Sequence, residues 1–348
     1  MQPKGSPKRV RARAPLRLGF AGGGTDVSPY SDEYGGLVVN ATIGKFAHAT
    51  ITSRDDGLLE LLAADGEVSW RGGANEAFPA VKGLELHRGV YNRILREFGG
   101  HRPLSISIAT HSEAPPGSGL GSSSTLVVAL VQAFCEYLSL PLGVYDIAHL
   151  AYEIERVDLG FAGGKQDHYA AAFGGLNLME FYGDSVIVNP LRIKENHRAE
   201  LEALLVLFYT GVSRESANII NEQVQNVKTR NENSMKAMHD LKAEALRMKE
   251  AILKGDFDAV ATAMQASWEA KKRMANRISN QKIDEIYEVA MKEGARAGKV
   301  SGAGGGGFMM FIVDPLKRQG VIKCLQEFPG SVATCNFVDQ GVQSWRVS

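Results

Sequence analysis

The chain has 348 residues, of which 44% are hydrophobic and 22% charged, and its 39 Lys and Arg residues balance 39 Asp and Glu residues. This length predicts two domains, and the zero net charge argues against nucleic acid or a membrane surface as the main partner. Three cysteines without zinc-ligand spacing, and the lack of any run of 18 apolar residues, predict a cytoplasmic protein that does not span a membrane.

The N-terminal half of the sequence reads as strands followed by helices. Alternating apolar residues predict strands over 9–21, 36–53, 58–63 and 104–110. Helical spacing then predicts helices over 122–138, 143–157 and 165–173, before strand-like segments at 174–181 and 185–191.

The C-terminal half reads mainly as helices between short strands. We predict a strand over 203–211, helices throughout 214–293, a strand over 306–314, a helix over 315–327 and a strand over 331–339. The whole pattern predicts an α+β protein of two lobes, with an N-terminal domain over 1–189 and a C-terminal domain over 190–348.

Three glycine-rich stretches lie far apart: "APLRLGFAGGGTD" at 14–26, "EAPPGSGLGSSSTLVVAL" at 113–130 and "KVSGAGGGGFMMFIV" at 299–313. In the second, three alternating glycines directly precede a helix predicted to begin at Ser122. The first amides of a helix have no internal partners, and together with the helix dipole they form a site for phosphate. An ordinary helix cap would need only one of the three serines, so the stretch predicts a phosphate-binding loop.

Other nucleotide-binding motifs are missing from the sequence or lie in the wrong context. The chain has no G-x-x-x-x-G-K-[ST] loop and no protein-kinase H-R-D or D-F-G motif. A G-x-G-x-x-G string occurs at 302–307, but a predicted strand follows it where a dinucleotide-binding fingerprint requires a helix.

In this order the three stretches resemble the motifs of the GHMP kinases, a family of small-molecule kinases. "PPGSGLGSSST" is similar to the central P-x-x-x-G-L-G-S-S motif, "SGAGGGGF" is similar to the third motif, and "APLRLGFAGGGTD" stands where the first motif stands. The resemblance spans about 14–313. It implies a two-lobed GHMP kinase fold, with an N-lobe like ribosomal protein S5 domain 2, a ferredoxin-like C-lobe, and ATP bound in the cleft.

Within this family, "GGGTD" and "KQDHYAAAFGGLN" resemble the sugar-kinase branch that includes D-glycero-D-manno-heptose 7-phosphate kinase and the kinase domain of fucokinase. This resemblance implies phosphorylation of the anomeric hydroxyl of the heptose 7-phosphate to the 1,7-bisphosphate, for bacterial GDP-heptose and capsule or surface polysaccharide. Two alternatives stay open: a fucose- or galactose-type 1-kinase for an unphosphorylated sugar, and a catalytically inactive sugar sensor. The sequence is also compatible with a homo-oligomer.

The resemblance also implies roles for individual residues. Asp167 resembles the catalytic aspartate, with Arg17 as its basic neighbour, and Glu155 with Ser123 (or Ser122) would hold Mg²⁺. The implied ATP-binding residues are Pro116, Gly117, Ser118, Gly119, Leu120, Gly121, Ser122, Ser123 and Ser124. The predicted substrate-binding residues are Gly24, Thr25, Asp26, Lys165, Arg214, Gly304 and Gly305, with Arg214 preferred over Lys165, Lys271 and Lys272 as the contact to a distal phosphate.

Overall fold

The fold is described from a computed structural model, which covers residues 8–75, 78–212 and 216–347. These ranges contain an eight-stranded sheet and a four-stranded sheet. The first sheet is formed by β1 (Arg9–Ala21), β2 (Gly36–Ser53), β3 (Leu58–Ala63), β4 (Val68–Gly73), β5 (Ile106–Ser112), β6 (Leu176–Tyr182), β7 (Ser185–Pro190) and β12 (Gln343–Val347). The second is formed by β8 (Leu205–Tyr209), β9 (Ala295–Val300), β10 (Phe308–Val313) and β11 (Ser331–Ala333).

The long strand β2 organises the first sheet. One edge of β2 pairs with β1, and its other edge pairs first with β6 and then with β5, so that the strand order is β12-β1-β2-β5-β3-β4 with β6 and β7 branching off β2. The pairing of β1 with β2 shifts register after Pro15 and again after Gly19. These irregularities fall in the first glycine-rich stretch and beside Arg17.

The second sheet has the strand order β11-β8-β10-β9, with every neighbouring pair antiparallel. Strand β10 is inserted between β8 and β9, which is the ferredoxin-like arrangement. The predicted α+β class and ferredoxin-like C-lobe are therefore confirmed. The C-terminal strand β12 returns to pair with β1, and the predicted boundary at 189/190 stays a prediction.

The described helices cover the sheets and frame the cleft between them. They are α1 (Tyr30–Tyr34), α2 (Glu85–Glu97), α3 (Ser122–Leu138), α4 (Val144–Tyr152), α5 (Gln166–Phe173), α6 (Glu195–Leu204), α7 (Ser216–Lys228), α8 (Glu232–Lys254), α9 (Phe257–Lys272), α10 (Gln281–Lys292) and α11 (Arg318–Leu325). None of these helices combines the length and apolar character needed to cross a bilayer.

Helix α3 has the predicted bounds and lies in the centre of the N-lobe. Its apolar residues, such as Val128 and Phe134, pack with Ile51 of β2 and Ile108 of β5. A second apolar cluster contains residues of β1, α8, α9 and both central strands of the second sheet, so it joins the two sheets. Because protein interiors are closely packed, these two apolar clusters hold the start of α3 and the neighbouring strand β1 in fixed positions.

The helix predicted over 143–157 differs from the observed structure. Helix α4 ends at Tyr152 and continues as a wider π-helical turn, Glu153–Asp158. Such turns occur often at functional sites. This one carries Glu155, and the apolar spacing in the sequence does not signal it.

Candidate active site

A cleft of about 730 Å³ brings the three glycine-rich stretches together. Its lining includes the predicted residues Arg17, Gly24, Asp26, Pro116, Gly117, Gly119, Gly121, Ser122, Ser123, Ser124, Glu155 and Asp167. Residues that are distant in the sequence, such as Arg17 and Asp167, therefore meet at one site.

The start of α3 is open toward this cleft. Gly121 caps the helix in the left-handed conformation, with φ of 79°, and no side chain caps the first amides. Ser118 and Leu120 are buried and support the loop: the Oγ atoms of Ser118 and Ser122 lie 3.1 Å apart, and the Leu120 carbonyl accepts the Arg17 amide at 3.1 Å. The open amides give the anion site that the sequence predicts.

The second and third glycine-rich stretches contact each other through their backbones. Ser301 Oγ donates to the Gly119 carbonyl at 2.9 Å, and the Phe308 amide donates to the Ser118 carbonyl at 2.8 Å. A Cβ atom on Gly119 would lie 2.3 Å from the Ser301 carbonyl oxygen, at a φ of 81°. Only glycine fits here, because the loop and the end of β9 approach too closely for a side chain.

Asp167 and Arg17 form an ion pair at the mouth of the phosphate loop. Arg17 Nε lies 2.8 Å and Nη2 2.6 Å from Asp167 Oδ1, and Nη1 also donates to the Gly119 carbonyl. The Arg17 side chain is 4% exposed and the Asp167 side chain 20%, so the carboxylate is the more accessible partner. A Cβ on Gly121 would lie 3.1 Å from Asp167 Oδ2, which places that oxygen beside the start of α3.

Glu155 lies on the floor of the cleft in a dense set of polar contacts. Its Oε2 accepts from Ser124 Oγ at 2.6 Å and lies 2.7 Å from His168 Nε2, and its Oε1 lies 3.2 Å from Arg156 Nη1. Burial alone would raise the pKa of Glu155, but Arg156, His168 and Ser124 outweigh burial and lower it to about 2. The carboxyl is therefore ionised near neutral pH.

Asp26 also lines the cleft. Its oxygens accept the amides of Gly24 and Gln166, each at 3.1 Å. Burial raises the pKa of Asp26, and the nearby Asp167 raises it further. Thr25 is fully buried, and its hydroxyl accepts the Leu37 amide at 3.0 Å, so this threonine holds the turn that presents Asp26.

Some predicted substrate residues lie outside this cleft. Lys165 is buried against the ring of Tyr152, donates to the Gly183 carbonyl, and borders a separate cavity of about 400 Å³. Gly304 and Gly305 pack against Ile278, while Gly302 and Ala303 of the same stretch line the cleft. Arg214 lies outside the described residues. The ends of a glycine-rich loop look alike in sequence, and only the fold separates the exposed end from the packed one.

Four polar residues near the cleft carry no motif signal. Lys271 of α9 donates to the Gly302 carbonyl at 2.6 Å, and burial lowers its pKa to about 8. Lys299 lies behind it, bonded to the Gly19 and Phe20 carbonyls, and burial lowers its pKa well below the ordinary value. Arg156 and Gln223 complete the set; each stands among other polar residues in a segment of helical spacing.

Comparison with known proteins adds independent information. Residues 85–175 match the family model "GHMP kinases N terminal domain" and residues 248–329 match "GHMP kinases C terminal". The chain is 47% identical over 341 residues to D-glycero-alpha-D-manno-heptose 7-phosphate kinase from Campylobacter jejuni, covering 98% of this chain and 100% of that protein. It is 27% identical to L-fucokinase/L-fucose-1-P guanylyltransferase from Bacteroides fragilis, covering 92% of this chain but 36% of that protein.

Two solved structures are similar over nearly the whole chain. One is described as a D-glycero-D-manno-heptose 1-phosphate kinase from Bacteriodes thetaiotaomicron, with a TM-score of 0.83, 43% identity, and coverage of 97% of this chain and 99% of that one. The other is a putative sugar kinase from Campylobacter jejuni, with a TM-score of 0.80, 44% identity, and coverage of 99% and 100%.

Proposed function

The chain belongs to the GHMP kinase family, and we propose that it transfers the γ-phosphoryl group of ATP to the anomeric hydroxyl of D-glycero-D-manno-heptose 7-phosphate. The observation that carries the chemistry is the Arg17–Asp167 ion pair, which lies against the uncapped start of α3. An anion-binding helix start beside a carboxylate is what phosphoryl transfer to a hydroxyl requires, since alignment and charge neutralisation supply most of the rate.

In this proposal the amides at the start of α3 and of the glycine loop bind the phosphates of ATP. Asp167 accepts the proton of the attacking sugar hydroxyl while the sugar oxygen forms its bond to the γ-phosphorus and the bond to ADP breaks. Arg17 fixes the Asp167 carboxylate through Oδ1 and leaves Oδ2 toward the loop. The Gly119 carbonyl holds the Arg17 guanidinium in turn.

The residues present also fit a magnesium ion, which would neutralise the negative charge of the phosphates. Ser123 and Glu155 both line the cleft, and Glu155 supplies an anionic oxygen because its pKa is lowered to about 2. Mg²⁺ prefers oxygen ligands and takes few of them from protein. Within the described ranges, no three His, Cys, Asp or Glu side chains cluster as a metal site.

The choice of sugar follows from the relatives. The two named heptose kinases differ in the phosphate their substrate carries, at position 7 in one name and position 1 in the other. Both reactions would give the same bisphosphate. We propose the 7-phosphate because the relative named for it is the more identical of the two, at 47%, and matches this chain over 100% of its own length.

A distal phosphate needs a cation of its own. Arg214 remains our prediction for this contact, since it precedes the cleft-lining Ser216 by two positions. The product would supply the synthesis of GDP-heptose for capsule or surface polysaccharide, and we place the enzyme in the cytoplasm with its ATP.

The test is a coupled assay of ADP release with ATP and Mg²⁺. The candidate acceptors are heptose 7-phosphate, heptose 1-phosphate, unphosphorylated heptose, fucose and galactose, with the product identified by ³¹P NMR. We expect the 7-phosphate to give the highest kcat/KM and a 1,7-bisphosphate. Equal use of unphosphorylated heptose would favour the fucose-type alternative, which the similarity to fucokinase supports. No turnover with any sugar would favour a sensor.

A further inference from the structure

Two glutamines that line the cleft each have a buried side-chain atom without a hydrogen-bond partner among the described residues. Gln223 of α7 is only 5% exposed and lines the cleft, yet its Nε2 has no hydrogen-bond partner among the described residues. Gln166 Oε1 is likewise buried and unpartnered within the described ranges. Buried polar atoms in native proteins are nearly always paired, so two orphaned amide atoms in one cleft indicate a ligand that pairs them.

Both carboxamides lie beside the first glycine-rich stretch. A Cβ on Gly23 would lie 3.6 Å from both Gln166 Nε2 and Lys271 Nζ, and a Cβ on Gly19 would lie 3.9 Å from Gln166 Oε1. A Cβ on Gly24 would lie 2.7 Å from Met274 Cε and 3.7 Å from Gln223 Oε1. Asp26 Oδ1 accepts from the Gly24 amide at 3.1 Å and from Gln166 Nε2 at 3.4 Å. Two carboxamides, a carboxylate and an ammonium therefore line the cleft beside Gly23 and Gly24.

The chemistry of this set selects a neutral hydroxyl over a phosphate. Gln223 Nε2 donates, whereas Gln166 Oε1 and the Asp26 carboxylate accept. A phosphate only accepts, and it would lie next to both acceptors. A sugar hydroxyl donates one hydrogen bond and accepts others, so it can satisfy both kinds of group at once.

We propose that Gln223 determines which acceptor sugar is used, by donating from Nε2 to one hydroxyl of the sugar whose proton Gln166 or Asp26 accepts. Lys271 then belongs to this hydroxyl-binding end of the cleft. The inference rests on the proposed function, because it takes a sugar as the acceptor. A site built to bond a hydroxyl discriminates strongly against analogues that lack it, since its buried groups are then left unpaired.

The matched variants are Gln223→Leu and Gln225→Leu. Gln225 lies on the same helix with its side chain exposed, so both variants make the same chemical change and only the first enters the cleft. Gln223→Leu should lower kcat/KM for the acceptor by about tenfold or more, with the KM for ATP unchanged. Its melting temperature should not fall, because an orphaned amide is replaced by an apolar group of similar size. Gln223→Glu should lose at least as much activity, because it replaces the donor with an anion beside Asp26.

The decisive comparison uses the monodeoxy analogues of the acceptor. On the analogue that lacks the hydroxyl bound by Gln223, wild type and Gln223→Leu should become equal, while the difference between them persists on the other analogues. If Gln223→Leu lowered kcat/KM equally on every analogue, or did not lower it on the parent sugar, the inference would be overturned.

The proposed function is judged separately in the same assay, by whether wild type turns over heptose 7-phosphate at all. If wild type prefers another sugar, the variants are compared on that sugar. If it turns over none, calorimetric sugar binding decides: Gln223→Leu must weaken it and Gln225→Leu must not.

Discussion

Replacing Asp167 with asparagine separates its proposed role as proton acceptor from its role in the ion pair. Asparagine has nearly the same shape, and its Oδ1 can still accept the two Arg17 donors that now lie at 2.8 and 2.6 Å. The change falls on the second oxygen, which becomes an NH₂ group beside Gly121 and cannot take a proton.

The expected loss is large in rate and small in stability. Removal of a general base costs about 10²–10⁴ in kcat, or about 3–5 kcal/mol of barrier at 1.36 kcal/mol per tenfold. Arg17 keeps its bond to the Gly119 carbonyl and a neutral acceptor at position 167. The free energy of unfolding should therefore fall by only about 1–2 kcal/mol, the difference between a charged and a neutral hydrogen bond.

The assay is kcat by coupled ADP release, with ATP affinity measured by calorimetry and stability by urea unfolding. Asp240→Asn is the control, since Asp240 Oδ2 lies 2.7 Å from Arg273 Nη2 in an ion pair outside the cleft lining. The control should keep wild-type kcat, and ATP should still bind both variants. If Asp167→Asn retains most of the wild-type kcat, Asp167 is not the base, and alignment alone must account for the rate.

Three further predictions address the metal, the loop contact and the buried lysine. Glu155→Gln should raise the Mg²⁺ concentration for half-maximal rate by roughly tenfold, and an unchanged Mg²⁺ titration would make Glu155 a structural acid. Gly119→Ala should cost about 1–3 kcal/mol of unfolding free energy in urea, because its Cβ would lie 2.3 Å from the Ser301 carbonyl. Burial lowers the pKa of Lys271 to about 8 from an ordinary 10.5. Between these pH values the unfolded chain binds a proton that the folded chain lacks, so Lys271 makes unfolding free energy rise with pH, and Lys271→Met should remove that rise.

Controls for the last two predictions come from the same chain. Gly57 has a φ of 72°, and a Cβ added there would have nothing within 4 Å, so Gly57→Ala carries the backbone strain without the clash and should cost less than Gly119→Ala. Lys272 lies 2.8 Å from Glu269 on the outside of the same helix, and Lys272→Met should leave the pH dependence of stability unchanged. Equal behaviour within either pair would contradict the corresponding reasoning.

The sequence predicted the elements whose signals are local. Helix α3 begins and ends where its glycine loop and apolar run indicate, and β1, β2 and β3 have the predicted bounds. The family predicted from the three motifs was confirmed by the two family models and by a relative that is 47% identical over 341 residues. The strand predicted over 203–211 is shorter, Leu205–Tyr209, because α6 runs up to Leu204. Apolar residues continue without a break across that junction, so periodicity alone could not place it.

The features that escaped prediction depend on contacts between distant segments. Lys165 and Lys271 looked equivalent in the sequence, but Lys165 turns toward Gly183 and Lys271 reaches the cleft from α9. His168 had no predicted role, and its Nε2 lies 2.7 Å from the carboxylate of Glu155, which stands in the π-helical turn. Hydrophobic spacing tells which face of a helix is buried, and it does not tell what that face meets.

The glycines in front of α3 follow from the same geometry. Three segments of the chain must reach one helix end: the loop itself, the end of β9 at Ser301, and the start of α5 at Asp167. A side chain at position 119 would meet the Ser301 carbonyl, and one at position 121 would meet the Asp167 carboxylate. Glycine, which has no side chain, is thus required where the backbone comes nearest to the proposed reacting groups. The buried body of α3 then supplies the rigidity that such a loop lacks. The phosphate-binding amides therefore keep a fixed position relative to the Asp167 carboxylate.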